Sequence, residues 1–155
     1  MIQLIEIRSM IEVGATELFA PRCQTDELDR MAADLEQMEA AHAVEDVGAF
    51  VEADVRFHRR ILEGCGNPFV SATFGPISRA RHDAREQTSA VPEIRVNAIA
   101  EHGNILAPLR SGSARAAAAA MRSHLDQTTN DALRHRPPPA APNQSPLHAL
   151  PPQDL

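Results

Sequence analysis

The stretch EADVRFHRRIL, residues 52–62, decides how the whole chain is read. Wound as a helix, it places Phe57 and Ile61 on one stripe, with Phe50 just upstream on the same stripe. Asp54 falls inside that stripe, about 40° from Phe50, and His58 falls at its edge, about 80° away. Buried polar groups need partners, so a helix that aims a carboxylate and an imidazole at its own core requires a reason.

Working outward, Asp46 is the expected N-cap of this helix, and EGCGN ends it at Gly64. Upstream, residues 2–19 read as a first helix with Ile2, Ile5, Met10, Ile11, Val13 and Leu18 as its apolar positions, broken at Pro21. It starts almost at Met1, so no element is expected before it within this sequence. Residues 25–43, TDELDRMAADLEQMEAAHA, form a second helix with Thr25 as N-cap and acids in its first turn. Leu28, Met31, Leu35 and Met38 step along it by three and four.

Downstream, Asn67 and Pro68 start a fourth helix through Phe69, Phe74 and Ile77, which Gly75-Pro76 is expected to kink or split. REQTSAV, residues 85–91, reads as a loop. Pro92 opens a fifth helix to about Leu109, with Pro108 disturbing its last turn, and Ser113 caps a sixth over residues 114–135. From Pro137 the chain is proline-rich and without period. The expectation is one all-helical domain over residues 2–135 and a disordered tail over 136–155.

Composition agrees with one helical domain. The 155 residues are 43% hydrophobic, with no Trp and no Tyr, so Leu, Ile, Val, Met and Ala must build the core. Net charge is −6, and all 15 basic residues are dispersed arginines. Such a surface is a poor nucleic-acid footprint, because backbone binding needs a concentrated positive face. Cys23 and Cys65 form no metal-finger spacing and read as reduced thiols. Neither a signal peptide nor a membrane-length apolar run is present, so a soluble cytoplasmic protein is expected.

The same helical arithmetic finds two more inward polar groups. On the fifth helix His102 lies among Ile94, Ile105 and Leu109. On the sixth, His124 lies among Ala117, Met121 and Thr128. One cation shared by Asp54, His58, His102 and His124 would satisfy all four. Imidazole with carboxylate suits Zn, Ni, Mn, Co or Fe better than Ca or Mg. The alternative is four ordinary core residues, each histidine hydrogen-bonded and Asp54 paired with an arginine such as Arg81 or Arg85. Spacing alone leaves both open.

The segments ADVRFHRRILEGCGNP, IAEHGNILAPLRSG and ARAAAAAMRSHL resemble, in that order, the FCD effector-binding domain. This domain is the C-terminal half of FadR-subfamily GntR transcription regulators. LIEIRSMIEVGATELFAPR resembles its first helix and TDELDRMAADLEQMEAA its second, so the likeness runs from about Leu4 to His124. The resemblance implies an antiparallel bundle of six to seven helices, usually dimeric. It implies a divalent transition metal, Zn, Ni or Mn, on Asp54, His58, His102 and His124, facing a cavity for a small carboxylate effector. It also implies that Arg8 pairs with that effector, with Arg81 and His82 lining the cavity. The family's winged helix-turn-helix is missing, so DNA is expected to be reached only through a module outside this sequence. Gly103 and Pro108 interrupt the helix that carries His102, where the family usually runs regularly. Two competing readings are a metal-dependent hydrolase-like enzyme and a structural dimerisation module. No extra acid or base stands convincingly near the site, since Glu101 points about 100° from His102, so an enzyme is not expected.

Overall fold

A computed structural model describes residues 1–135. Six helices make up almost all of them: α1 (Ile2–Phe19), α2 (Thr25–Ala43), α3 (Val47–Gly64), α4 (Pro68–Ser89), α5 (Pro92–Arg110) and α6 (Ala114–Arg134). The connections are only a few residues long, which folds successive helices back on each other as an antiparallel bundle. The segment 136–155, expected to be a tail, lies outside the described residues.

The helix starts follow from local chemistry. The Asp46 side chain accepts from the Ala49 N–H at 2.9 Å, and Asn67 accepts from Phe69 at 3.0 Å with Pro68 in the first turn. Thr25 is not a cap: Gln24 holds that position and Thr25 is the first helical residue. The loop expected over 85–91 is also corrected. α4 continues to Ser89 because its last turns are anchored: Arg85 and Ser89 are buried, and Thr88 Oγ1 bonds back to the Ala84 and Arg85 carbonyls at 3.3 Å. α4 also runs through Gly75-Pro76 without a break, and Pro108 lies inside α5, close to its end.

α3 is the hub. It packs against α1, α2 and α4, while α6 packs on α1 and α5. Phe50, Phe57, Ile61, Met31, Met38, Ile105 and Met121 are fully buried between them. The end of α1 seats on the end of α3 at Gly64. A Cβ there would come within 2.5 Å of Phe19 Cε2, so only glycine permits this approach. The face of α1 differs from the one its apolar residues suggest. Met10 is 78% exposed and Leu18 40%, whereas Arg8, Glu12 and Thr16 are buried beside Ile5 and Phe19.

Candidate metal centre

Three helices bring His58, His102 and His124 together. Their ring centroids lie 4.8–5.1 Å apart, and one donor nitrogen from each lies within 4.8 Å of the others. His102 Nδ1 lies 2.7 Å from the carbonyl of Ala98, one turn earlier on α5, and therefore carries the proton. His58 Nδ1 donates to Glu12 Oε2 at 2.6 Å. The remaining nitrogens, His58 Nε2 and His102 Nε2, are buried and without a partner. His124, from α6, is 3% exposed.

Asp54 stands at the edge of the triad. Its Oδ2 accepts from Arg81 at 2.5 Å, and the same Arg81 nitrogen reaches the Asp54 carbonyl at 2.9 Å. Its Oδ1 lies 3.3 Å from His102 Nε2 and 3.4 Å from Arg85 Nε. Neither contact is aligned as a hydrogen bond, and Oδ1 is a buried oxygen with no partner. The arginine pairing left open by the spacing is therefore present, with one carboxylate oxygen still uncommitted.

The electrostatics follow from burial. Burial, reinforced by the charge of Arg81, pushes the His58 imidazole down to about 3, although Glu12 pulls the other way. Burial and the neighbouring His102 and His58 rings push His124 well below its ordinary value. Burial raises the Asp54 carboxyl, but Arg85 and Arg81 outweigh it and hold it well below the usual range. Glu12 behaves alike: burial raises it, and Arg8 and His58 more than reverse this. At neutral pH the surroundings of the triad therefore hold neutral His58 and His124, the carboxylates of Glu12 and Asp54, and the guanidiniums of Arg8, Arg81 and Arg85. Among these five charged groups the arginines outnumber the carboxylates by one, and Arg81 Nε, Arg81 Nη1 and Arg85 Nη2 are buried without acceptors.

Three expectations meet a different geometry at this point. The cavity is nearly closed: the space beside Arg8, Arg81 and Arg85, between α1, α4 and α6, measures about 20 Å³, room for one water. His82 does not join the cluster. It is partly exposed, with Nε2 3.2 Å from Glu52 Oε1, and does not line that space. Arg8 is buried where an effector-binding arginine was expected, but it grips Glu12, Nε to Oε1 at 2.7 Å and Nη2 to Oε2 at 3.3 Å. Glu12 is the site residue that the sequence reading missed. The signal was the stripe Ile5, Arg8, Glu12, Thr16, Phe19, spaced by three and four, which sets Glu12 on the same face as Arg8.

The FCD domain family matches residues 3–127, and the chain belongs to that family. Among solved structures it resembles Streptococcus agalactiae GntR, with a TM-score of 0.72 and 23% identity over 83% of this chain. That likeness concerns the fold, and this chain spans 57% of the other protein's length. No curated protein matches the sequence.

Proposed function

We propose that this FCD domain, residues 2–135, is the effector-sensing part of a GntR-type transcription regulator. In this reading His58, His102, His124 and Asp54 hold a divalent transition metal, Zn, Ni or Mn. The observation that carries it is the meeting of one nitrogen each from His58, His102 and His124 within 4.8 Å, with His58 Nε2 and His102 Nε2 buried and unpartnered and the unpartnered Asp54 Oδ1 3.3 Å from His102 Nε2. Left bare, such atoms are costly; shared by one cation, they are satisfied. Neutral imidazoles are the ligating form, and mixed nitrogen and oxygen donors suit these metals. The proton on Nδ1 of His58 and His102 leaves each Nε2 free to ligate.

When bound, the ion supplies a Lewis-acidic seat for an effector carboxylate. The protein's own contribution is the excess positive charge and the unpartnered N–H groups of Arg81 and Arg85. An anion that draws these arginines weakens their hold on Asp54, and so alters how α4 sits on α3. That differential interaction is what a sensor requires. Transmission to DNA falls to a winged helix-turn-helix outside this sequence, in a cytoplasmic homodimer. No described helix is long and apolar enough to cross a membrane.

The test is elemental analysis of protein purified without chelator, followed by a thermal-shift screen of small organic acids on the metal-loaded form. Near-stoichiometric metal in the wild type, lost in His124→Ala, is expected. A wild type that neither carries nor binds Zn, Ni or Mn defeats the reading.

A further inference from the structure

Each histidine of the cluster offers one nitrogen to the centre and must commit the other elsewhere. His102 commits Nδ1 to a backbone carbonyl of its own helix. His58 commits Nδ1 to Glu12, 46 residues earlier on α1, across a 2.6 Å hydrogen bond. Both groups are at most 2% exposed. Arg8 holds both Glu12 oxygens, so the carboxylate is fixed in turn. A carboxylate accepts and does not donate, so the ring proton lies on Nδ1 and the lone pair on Nε2. Among the described residues, Glu12 is the one side chain that bonds to any of the three imidazoles.

We propose that Glu12 is the positioning residue of the metal centre: it holds His58 in the Nδ1–H tautomer and, with Arg8, fastens α1 to the ligand set. The consequence for metal affinity rests on the metal reading above, whereas the tautomer follows from the hydrogen bond itself. A carboxylate behind a ligating imidazole fixes the ring's orientation and raises its basicity. A cation on Nε2 makes the Nδ1 proton more acidic and strengthens its bond to Glu12. Metal occupancy and the seating of α1 are thereby linked, and each favours the other.

The experiment uses the full chain, with Zn²⁺ alone as the probe. Zinc affinity is measured by competition with a chromophoric chelator for the wild type and for Glu12→Gln. Because Glu12→Gln strands the buried Arg8 charge, the pair Arg8→Met with Glu12→Gln is measured beside it. The tautomer of His58 is read in metal-free protein from the nitrogen NMR shifts of its ring. Both variants are expected to bind zinc about 10–100-fold more weakly and to show a mixture of His58 tautomers. Glu52→Gln, beside the outlying His82, should change neither readout. Unchanged zinc affinity in both folded variants overturns the positioning role while leaving the metal reading intact. An unchanged tautomer overturns it as well. A wild type that binds no zinc, yet loses its Nδ1–H tautomer in the variants, defeats the metal reading alone and supports the assignment of Glu12 to His58.

Discussion

Asp34 and Asp54 are built from the same parts and end in opposite conditions. Each is a buried aspartate facing two arginines. Asp34, on α2, accepts from Arg56 Nε at 3.0 Å and from Arg60 Nε at 2.6 Å, one arginine per oxygen. Those arginines keep 34% and 25% of their side chains in water, and Arg60 also reaches Glu27 at 3.2 Å. Asp54 faces Arg81 and Arg85, only 1% and 6% exposed, and its Oδ1 stays unbonded. The first cluster is a closed staple between α2 and α3. The second is unfinished, with oxygen, imidazole and guanidinium atoms all lacking partners. Complete satisfaction marks structure; incomplete satisfaction in the driest part of the bundle marks a place for something else.

Several measurements would break or sharpen this contrast. The largest effect belongs to Asp54→Ala, which leaves two buried guanidiniums without a carboxylate and should cost about 3–5 kcal/mol in denaturant unfolding. Asp34→Ala should cost less, about 1–3 kcal/mol, because Arg56 and Arg60 can turn to water. Equal losses would erase the distinction. Metal comes next. Zinc at a hundredfold excess over its dissociation constant should add about 2.7 kcal/mol to the wild type. His124→Ala should lose that gain and His82→Ala should keep it; the same response from both would misplace the site.

Acid should act on the histidine cluster with a defined sign. Unfolded imidazoles take up protons near 6.5, whereas His58 in the fold does so only near 3. The unfolded state therefore binds more protons in this window, and stability falls as pH drops through it. For His58 alone the loss at pH 5 is about 2 kcal/mol, and His124 adds in the same direction. Melting in chelator at pH 7, 6 and 5 checks this, and a flat profile contradicts it. The smallest effect is expected at the exposed pair of His82 with Glu52, where Glu52→Gln should change stability by less than about 0.5 kcal/mol.

The sequence was most legible where the ordinary rules hold. α2 and α3 bury Met31, Met38, Phe50, Phe57 and Ile61 as their periodicity demands, and the caps at Asp46 and Asn67 are real. The inward placement of Asp54, His58, His102 and His124 was also readable, because each lies among apolar neighbours on its own helix. What could not be read was pairing between helices. Arg8 and Glu12, four apart, look like a surface ion pair in one dimension, and only the approach of α3 reveals them as buried. The end of α4 misled for the same reason. REQTSAV looks like a loop by composition, but Arg85 is drawn in by Asp54, and the Ser89 carbonyl accepts from Arg95 at 2.5 Å. Tertiary partners overrode local signals at both places, and both adjoin residues that face the candidate site.

The near-closed space beside Arg81 has a kinetic consequence. One water fits in this space, so on the proposed sensing role a carboxylate effector would enter only after a parting of helices. α4 is the natural leaf to swing, since it leans chiefly on α3 and only lightly on α1 and α5. Such displacements run on microsecond to millisecond scales. The observed binding rate should then rise with effector concentration only until opening becomes limiting, and level off there. Apparent affinity carries the rarity of the open form. On the proposed role, the same shutter that delays entry would delay escape, so a long dwell time would accompany a slow response.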